Sequence, residues 1–272
     1  MKILYISTVF PRPEQSSTIY TDLAEELTRR GHQVFVVAAD GSKDLKETML
    51  LEERGMTVLR VKINNMYDVS LMKKGFAVLT LKYALKKAIR KFLYNENFNV
   101  ILFESPPVTT ADIVKWAMKR YNCPSYLMLK DIFPQNAVDI GLIKKGGIVH
   151  RYFRRKEKEI YRIASKIGCM SEANRQYILK NNPWLSTDKV EIFPNTKRIH
   201  YMNLKSRTTT DFPMRRKYGI PLHAVVAVFG GNMGKAQGID FLMDVISKSS
   251  ERNDIFFLLV GRGTERSKIR ER

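Results

Sequence analysis

Short apolar runs alternate with longer amphipathic stretches along most of the chain. The runs at 2–9, 33–39, 57–63, 100–103, 125–129, 166–170 and 190–193 are aliphatic and β-branched, with little polar alternation. That pattern suits strands covered on both faces. The stretches between them carry apolar positions at helical spacing, so the grammar predicts βα units and a parallel sheet flanked by helices. The first unit is the clearest. Its strand runs into a Pro-containing loop, 10–17, and then into a helix from about Thr18 to Arg30. Leu23, Ala24 and Leu27 share one face of that helix, Arg29 and Arg30 suit its negative end, and Gly31 supplies a left-handed cap.

The pattern breaks after Asn195. Residues 197–210 are polar, basic and rich in Ser and Thr, with no apolar period. The βα grammar then restarts with a strand at 224–230, a glycine-rich turn at 231–238, a helix to about Ser249 and a strand at 255–260. The expected organisation is therefore an N-terminal domain at 1–197, a linker at 198–215 and a partial second domain at 216–272. Two strands are too few to close a core of their own, so the second domain is expected to be cut short.

Composition describes an ordinary soluble globular protein of 272 residues, 44% hydrophobic and 27% charged. No stretch reaches the ~18 uninterrupted apolar residues of a membrane-spanning helix. The opening segment, followed at once by Pro11, Arg12 and Pro13, reads as a buried strand and not as a signal peptide. Cys123 and Cys169 are far apart and read as reduced core cysteines of a cytosolic protein. The four histidines show no metal-ligand spacing, and no metal site is expected.

Charge changes the picture more. The chain has 47 Lys and Arg against 27 acids, a net +20, so it should attract something anionic: nucleic acid, lipid, or a phosphate-bearing substrate. An acid-free run holds Lys73, Lys74, Lys82, Lys86, Lys87, Arg90 and Lys91, with Val78, Leu81, Leu85, Ile89 and Phe92 as an apolar stripe. It reads either as a solvated helix on the sheet or as a face toward anionic lipid, with Phe76, Leu79 and Tyr83 as interfacial contacts. A second basic block spans 144–162. No helix-turn-helix, zinc or RNA-binding signature accompanies the charge, so nucleic acid is not the expected partner.

Several stretches together carry a resemblance: 1–13 with the Leu-Thr-Arg-Arg-Gly-His-Gln-Val run ending at Val34, then Lys130-Asp131-Ile132-Phe133-Pro134, 168–171, 190–195, 229–238 and 258–265. In order and spacing they resemble the retaining GT-B glycosyltransferases of surface-polysaccharide synthesis, especially the N-acetyl-fucosamine and N-acetyl-hexosamine transferases of O-antigen and capsule. The resemblance implies an α/β fold of GT-B type: a Rossmann-like parallel-sheet domain plus an incomplete second Rossmann-like domain. It implies sugar transfer from a nucleotide sugar, with UDP the expected carrier and no further cofactor, to a lipid-linked saccharide acceptor. The protein would then be cytoplasmic and peripheral at the inner membrane face, docked on anionic lipid through the Lys73 to Lys91 run.

In open α/β sheets ligands bind beyond the carboxyl ends of the strands. The 11–17 loop, Glu104, Lys130-Asp131 and Ser171-Glu172 are expected at such ends, converging on one cleft. Gln15, Ser16, Ser17 and Lys130 are the acceptor-side candidates, and Asp131 and Glu104 are the candidate catalytic carboxylates. Asp131 also reads as a turn or helix cap. On the donor side, Gly231, Asn232, Gly234, Lys235, Gly261 and Gly263 are the candidates, because glycines let backbone approach a diphosphate and Lys235 adds a positive charge. Asn195 reads mainly as a turn and hinge former. The sequence departs from the family pattern at several of these places. Lys130 stands where many relatives carry a functional His, Asn232 and Gln237 replace an Arg and a Lys, and the glycine pair of the first loop is absent. The glutamate pair that binds the donor in relatives is also not found. A catalytically inactive acceptor- or partner-binding fragment of the same fold is the alternative reading.

Overall fold

The computed structural model describes residues 1–63, 71–199 and 212–271. The chain forms two compact units, Met1–Ile199 and His200–Arg272.

The first unit runs β1 (Lys2–Ser7), α1 (Ile19–Arg29), β2 (Gln33–Asp40), β3 (Met49–Glu53), β4 (Met56–Lys62), α2 (Leu71–Phe92), β5 (Val100–Ser105), α3 (Ala111–Tyr121), β6 (Ser125–Leu129), α4 (Gln135–Asp139), α5 (Ile148–Ile163), β7 (Lys166–Cys169), α6 (Glu172–Asn181) and β8 (Val190–Ile192). These strands make one eight-stranded sheet in the order β3-β4-β2-β1-β5-β6-β7-β8. Every pair is parallel except β3 with β4. This is the doubly wound α/β architecture that the sequence predicts.

The alternation of β1 sorts the core into two layers. Leu4 and Ile6 face the layer built with Leu85 and Ile89 of α2, Val114 of α3 and Ile160 of α5. Ile3 and Tyr5 face the other, with Ala24 of α1 and Val36 of β2. The start of α1 is fixed by a reciprocal cap, in which Thr21 N–H donates to Thr18 Oγ1 at 3.3 Å and Thr18 N–H to Thr21 Oγ1 at 2.7 Å. Its end is released by Gly31 at φ +83°.

The sequence reading missed β3. It pairs with β4 through a two-residue turn, Arg54 (φ +55°) and Gly55 (φ +76°), the geometry that matches strand twist in tight hairpins. A left-handed arginine costs roughly 1–2 kcal/mol. Its guanidinium offsets that cost by donating to Ser16 O at 2.8 Å and by pairing with Glu25 at 2.7 Å.

On α2, Leu81, Leu85 and Ile89 are buried as the apolar stripe requires. The lysines do not all project into solvent. Lys82 donates to Asp112 of α3 at 2.6 Å, and the Lys86 ammonium lies 5.3 Å from the centre of the Trp116 ring. The acid-free run thus takes its counter-charge from α3. The side chains of residues 71–80, among them Lys73, Lys74, Phe76, Val78 and Leu79, lie outside the described residues. Both cysteines are free and buried. Among the described residues no helix is long and apolar enough to cross a membrane.

The second unit contains α7 (Pro213–Lys217), β9 (Val225–Asn232), α8 (Ile239–Lys248), β10 (Ile255–Arg262) and α9 (Arg266–Glu271). β9 and β10 pair in parallel from Val225 with Ile255 to Asn232 with Arg262, so both strands run past the expected ends at 230 and 260. Met233, Ile239 and Met243 form their small core. Most of the expected linker, residues 200–211, lies outside the described residues.

Candidate functional site

Loops at the carboxyl ends of the large sheet carry the candidates, but the geometry divides them. Beyond β1 and β2 lies an open pocket of about 500 Å³, lined by Thr8 to Arg12, Gln15, Ser16, Asp40 and Arg60 among others. Arg12 holds Asp40 at 3.0 Å. Burial pushes the Asp40 carboxyl up, but hydrogen bonds from Ser42 and Arg12 outweigh it and hold the group below its ordinary value. Gln15 accepts from Arg12 N–H at 3.2 Å, and Ser17 accepts from Lys197 at 3.2 Å.

Two arginines that sequence reasoning missed set the shape of this loop. Arg60 on β4 is buried, pairs with Glu53 of β3 through both Nε and a terminal nitrogen, and donates to the carbonyl of Phe10. Arg54 holds the Arg12 carbonyl at 3.3 Å as well as that of Ser16. The only local signal was Gly55 before the strand run at 57–63, because the partner strand Met49–Glu53 is short and mostly exposed.

A second depression, about 360 Å³, lies beyond β6 and β7 and is lined by Lys130, Asp131, Gln135, Met170, Asn174 and Tyr177 among others. Gln15 and Ser16 therefore line one pocket and Lys130 and Asp131 another. Asp131 is exposed, and its carboxylate takes no hydrogen bond among the described residues. α4 starts without a side-chain cap, so the capping role open to Asp131 goes unused there. Lys130 is not an open loop residue. It is 8% exposed, and its ammonium lies 4.9 Å from the centre of the Phe193 ring. Burial lowers its pKa, partly offset by attraction to Glu104.

Glu104 was expected in a loop after a strand ending at residue 103. The strand instead continues through Ser105, and Glu104 sits inside it at 2% exposure. Oε1 accepts from Ser7 Oγ at 2.8 Å and from Thr8 N–H at 2.7 Å, while Oε2 is buried with no hydrogen-bond partner among the described residues. Burial lifts its pKa from 4.5 to about 7, against the pull of those hydrogen bonds. It lies beneath the strand ends, not at the surface of either pocket. Ser171 caps α6 by accepting from Asn174 N–H at 3.2 Å, and Asn195 donates to Met170 Sδ at 3.0 Å.

In the second unit, the turn from β9 into α8 is Met233 to Gly238; Gly231 and Asn232, expected in that turn, instead end β9, paired with Gly261 and Arg262. Lys235 is exposed in a short 3-10 turn and makes no hydrogen bond or ion pair among the described residues. α8 opens after Gly238 without a side-chain cap, which leaves its first N–H groups available. Asn232 reaches Gln237 at 3.3 Å across the turn. Gly261 and Gly263 have a local reason to be glycine. A Cβ at 261 would stand 2.0 Å from the Gly231 carbonyl oxygen, and one at 263 would stand 2.2 Å from that of Met233. Close approach of β10 to the end of β9 requires both.

No curated protein sequence matches the chain. Solved structures do resemble it. The chain aligns with an alpha,alpha-trehalose-phosphate synthase (UDP-forming) from Burkholderia vietnamiensis at TM-score 0.64 and 10% identity, covering 100% of this chain and 68% of that one. It aligns with Anabaena Alr3699/HepE, solved with UDP and glucose, at TM-score 0.56 and 15% identity, covering 100% and 64%. UDP-GlcNAc 2-epimerase from Neisseria meningitidis, solved with UDP-GlcNAc, aligns at TM-score 0.53 and 13% identity, covering 95% and 65%. The chain thus spans about two thirds of the length of each. At such identities the likeness speaks for the fold, which is of GT-B type, and an epimerase shares it, so fold alone does not choose the reaction. A family match over residues 16–196 does narrow it. That span takes in all of the large sheet but β1, the Arg54 and Arg60 clamps and the whole lining of the Lys130–Asp131 depression, and it assigns this chain to glycosyltransferase family 4.

Proposed function

We propose that the protein transfers a hexose or N-acetylhexosamine, with retention, from a UDP-linked donor to a lipid-linked saccharide in surface-polysaccharide synthesis. The carrying observation is that the family match over 16–196 contains the carboxyl-end depression in which Asp131 is exposed and uncommitted. In this reading an acceptor hydroxyl attacks the anomeric carbon from the same face that the nucleoside diphosphate leaves, as retention in a single step requires, and Asp131 takes the hydroxyl proton. Gly231 to Gly238, with Lys235, receives the diphosphate. The solved structures with UDP or UDP-sugars support a nucleotide-sugar donor by analogy.

Transfer from labelled UDP-sugars to a lipid-diphosphate-linked saccharide tests the reading. Asp131→Asn should lower the rate by about 10²- to 10⁴-fold with donor affinity kept. Lys235→Ala should weaken donor binding by roughly tenfold or more. Full transfer by Asp131→Asn would overturn the assignment of the base. Donor binding without any transfer would favour the non-catalytic reading, to which Lys130, in place of the His of many relatives, lends support.

Peripheral docking on anionic lipid belongs to the same proposal. With Lys82 committed to Asp112, the exposed Lys87, Arg90 and Lys91 beside Tyr83 remain for it, each adding about 1 kcal/mol near such a surface. Binding to anionic vesicles should be reversible and released by salt.

A further inference from the structure

A cavity of about 480 Å³ opens between the start of α4, the first half of α5 and the end of α6. Its basic side chains are Lys145, His150, Arg154 and Lys180. Lys145 and Lys180 are exposed and make no hydrogen bond or ion pair among the described residues. Arg154 is already held in place. It pairs with Glu157 at 2.5 Å and donates to Asn181 O at 2.8 Å and to Asn182 Oδ1 at 2.9 Å, so a ligand meeting it would freeze no further rotamers. Gly146 N–H donates to His150 Nδ1 at 3.3 Å, which places the proton of the neutral ring on Nε2 and makes that atom a donor.

The one acid in the lining, Glu157, is 3% exposed and spent on Arg154 and on the Tyr161 hydroxyl at 2.9 Å. The cavity therefore presents several donors and two free positive charges with no free carboxylate. That chemistry selects a phosphate or diphosphate over a neutral sugar. Its position adds direction. Gln135 and Tyr177 also line the depression that holds Lys130 and Asp131. On the far side, Ile148, Val149 and Tyr152 of α5 are 80%, 54% and 44% exposed, an apolar edge suited to lipid.

We propose that this cavity is the anion subsite for the diphosphate of the lipid-linked acceptor, placed so that the attached saccharide reaches the Asp131 depression. The assignment to the acceptor rests on the proposed function; the anion chemistry does not.

The test uses inorganic pyrophosphate as the probe, with binding to the full chain followed by calorimetry. Lys145→Glu/Lys180→Glu should weaken binding at least about tenfold. Lys115→Glu/Lys119→Glu, the same charge change at exposed positions of α3, should weaken it less than about threefold. Equal losses in the two variants would overturn the subsite. Both pairs are exposed, and Arg154 is left intact because its removal would strand Glu157. A second arm asks which source supplies the phosphate. Vesicles carrying a short-chain prenyl diphosphate should displace pyrophosphate, whereas phosphatidylglycerol vesicles of equal charge should not. Equal displacement would make the cavity a general headgroup contact and overturn its assignment to the acceptor. If transfer proceeds in Lys145→Glu/Lys180→Glu with unchanged acceptor KM, the subsite falls while the proposed reaction stands. If displacement is selective but no sugar is transferred, the reaction falls while the subsite stands.

Discussion

Replacing Glu104 with Gln removes a titrating group from inside the sheet and keeps its shape. Oε1 already accepts from Ser7 and Thr8, and Oε2 is buried without a hydrogen-bond partner among the described residues. A proton on Oε2 would leave both existing hydrogen bonds in place, so the neutral acid fits the site better than the carboxylate. Burial accordingly raises the pKa from 4.5 to about 7. The folded state then binds this proton more tightly than the unfolded state. The stability it contributes is complete below pH 4.5 and is lost as pH rises through about 7. That difference corresponds to about 3 kcal/mol. Glutamine carries no such titration, so the stability of Glu104→Gln relative to the native protein should rise by about 3 kcal/mol between pH 4.5 and 8. Trp116 and Trp184 are the only two tryptophans, and both lie in the first unit, so their fluorescence during urea unfolding reports that unit. Other buried acids such as Glu157 cancel in the comparison. A stability difference that stays flat across this range would refute the reasoning.

Arg60→Met strands the Glu53 carboxylate, whose side chain is 9% exposed, and should cost up to about 3–5 kcal/mol in the same assay. Adding Glu53→Leu should restore all but the roughly 1–3 kcal/mol lost at the unpaired Phe10 carbonyl. Arg54→Asn suits the hairpin turn and should change stability by less than about 1 kcal/mol, yet amides of residues 12–17 should exchange faster with deuterium, as read by mass spectrometry. Gly261→Ala places a methyl group against the Gly231 carbonyl and should expose residues 225–262 to limited proteolysis; unchanged protection would count against the close approach of β9 and β10.

The parallel strands were legible because most are short, largely apolar runs bounded by a turn or a helix cap. β3 was not, because Met49 to Glu53 is short and mostly exposed, with Leu50 and Leu51 facing outward, so neither periodicity nor burial marks it. Glu104 was named as a candidate, but a charged residue following Phe103 looked like the end of a strand. Only pairing of Glu104 with Met128 and of Ser105 with Leu129 shows that the strand continues. The basic block at 144–162 was visible as charge. Its cavity was not, since Lys145 and Lys180 are distant in sequence and meet only through the packing of α5 and α6. Likewise, the separation of Gln15 and Ser16 from Lys130 and Asp131 into two depressions depends on strand order, which composition does not encode.

The β3–β4 hairpin has a consequence for how this protein can vary. It sits at the margin of the sheet, and Arg54 and Arg60 grip main-chain carbonyls of the loop that follows β1. Main-chain grips are indifferent to which side chains the loop carries. Residues such as Gln15 and Ser16 can therefore be exchanged while the loop keeps its course, and the hairpin serves as a fixed template beneath an interchangeable surface. Libraries aimed at the pocket beyond β1 and β2 should randomise 13–17 and hold Glu53, Arg54 and Arg60 constant; libraries that randomise the hairpin should mostly return proteins whose loop has lost its course.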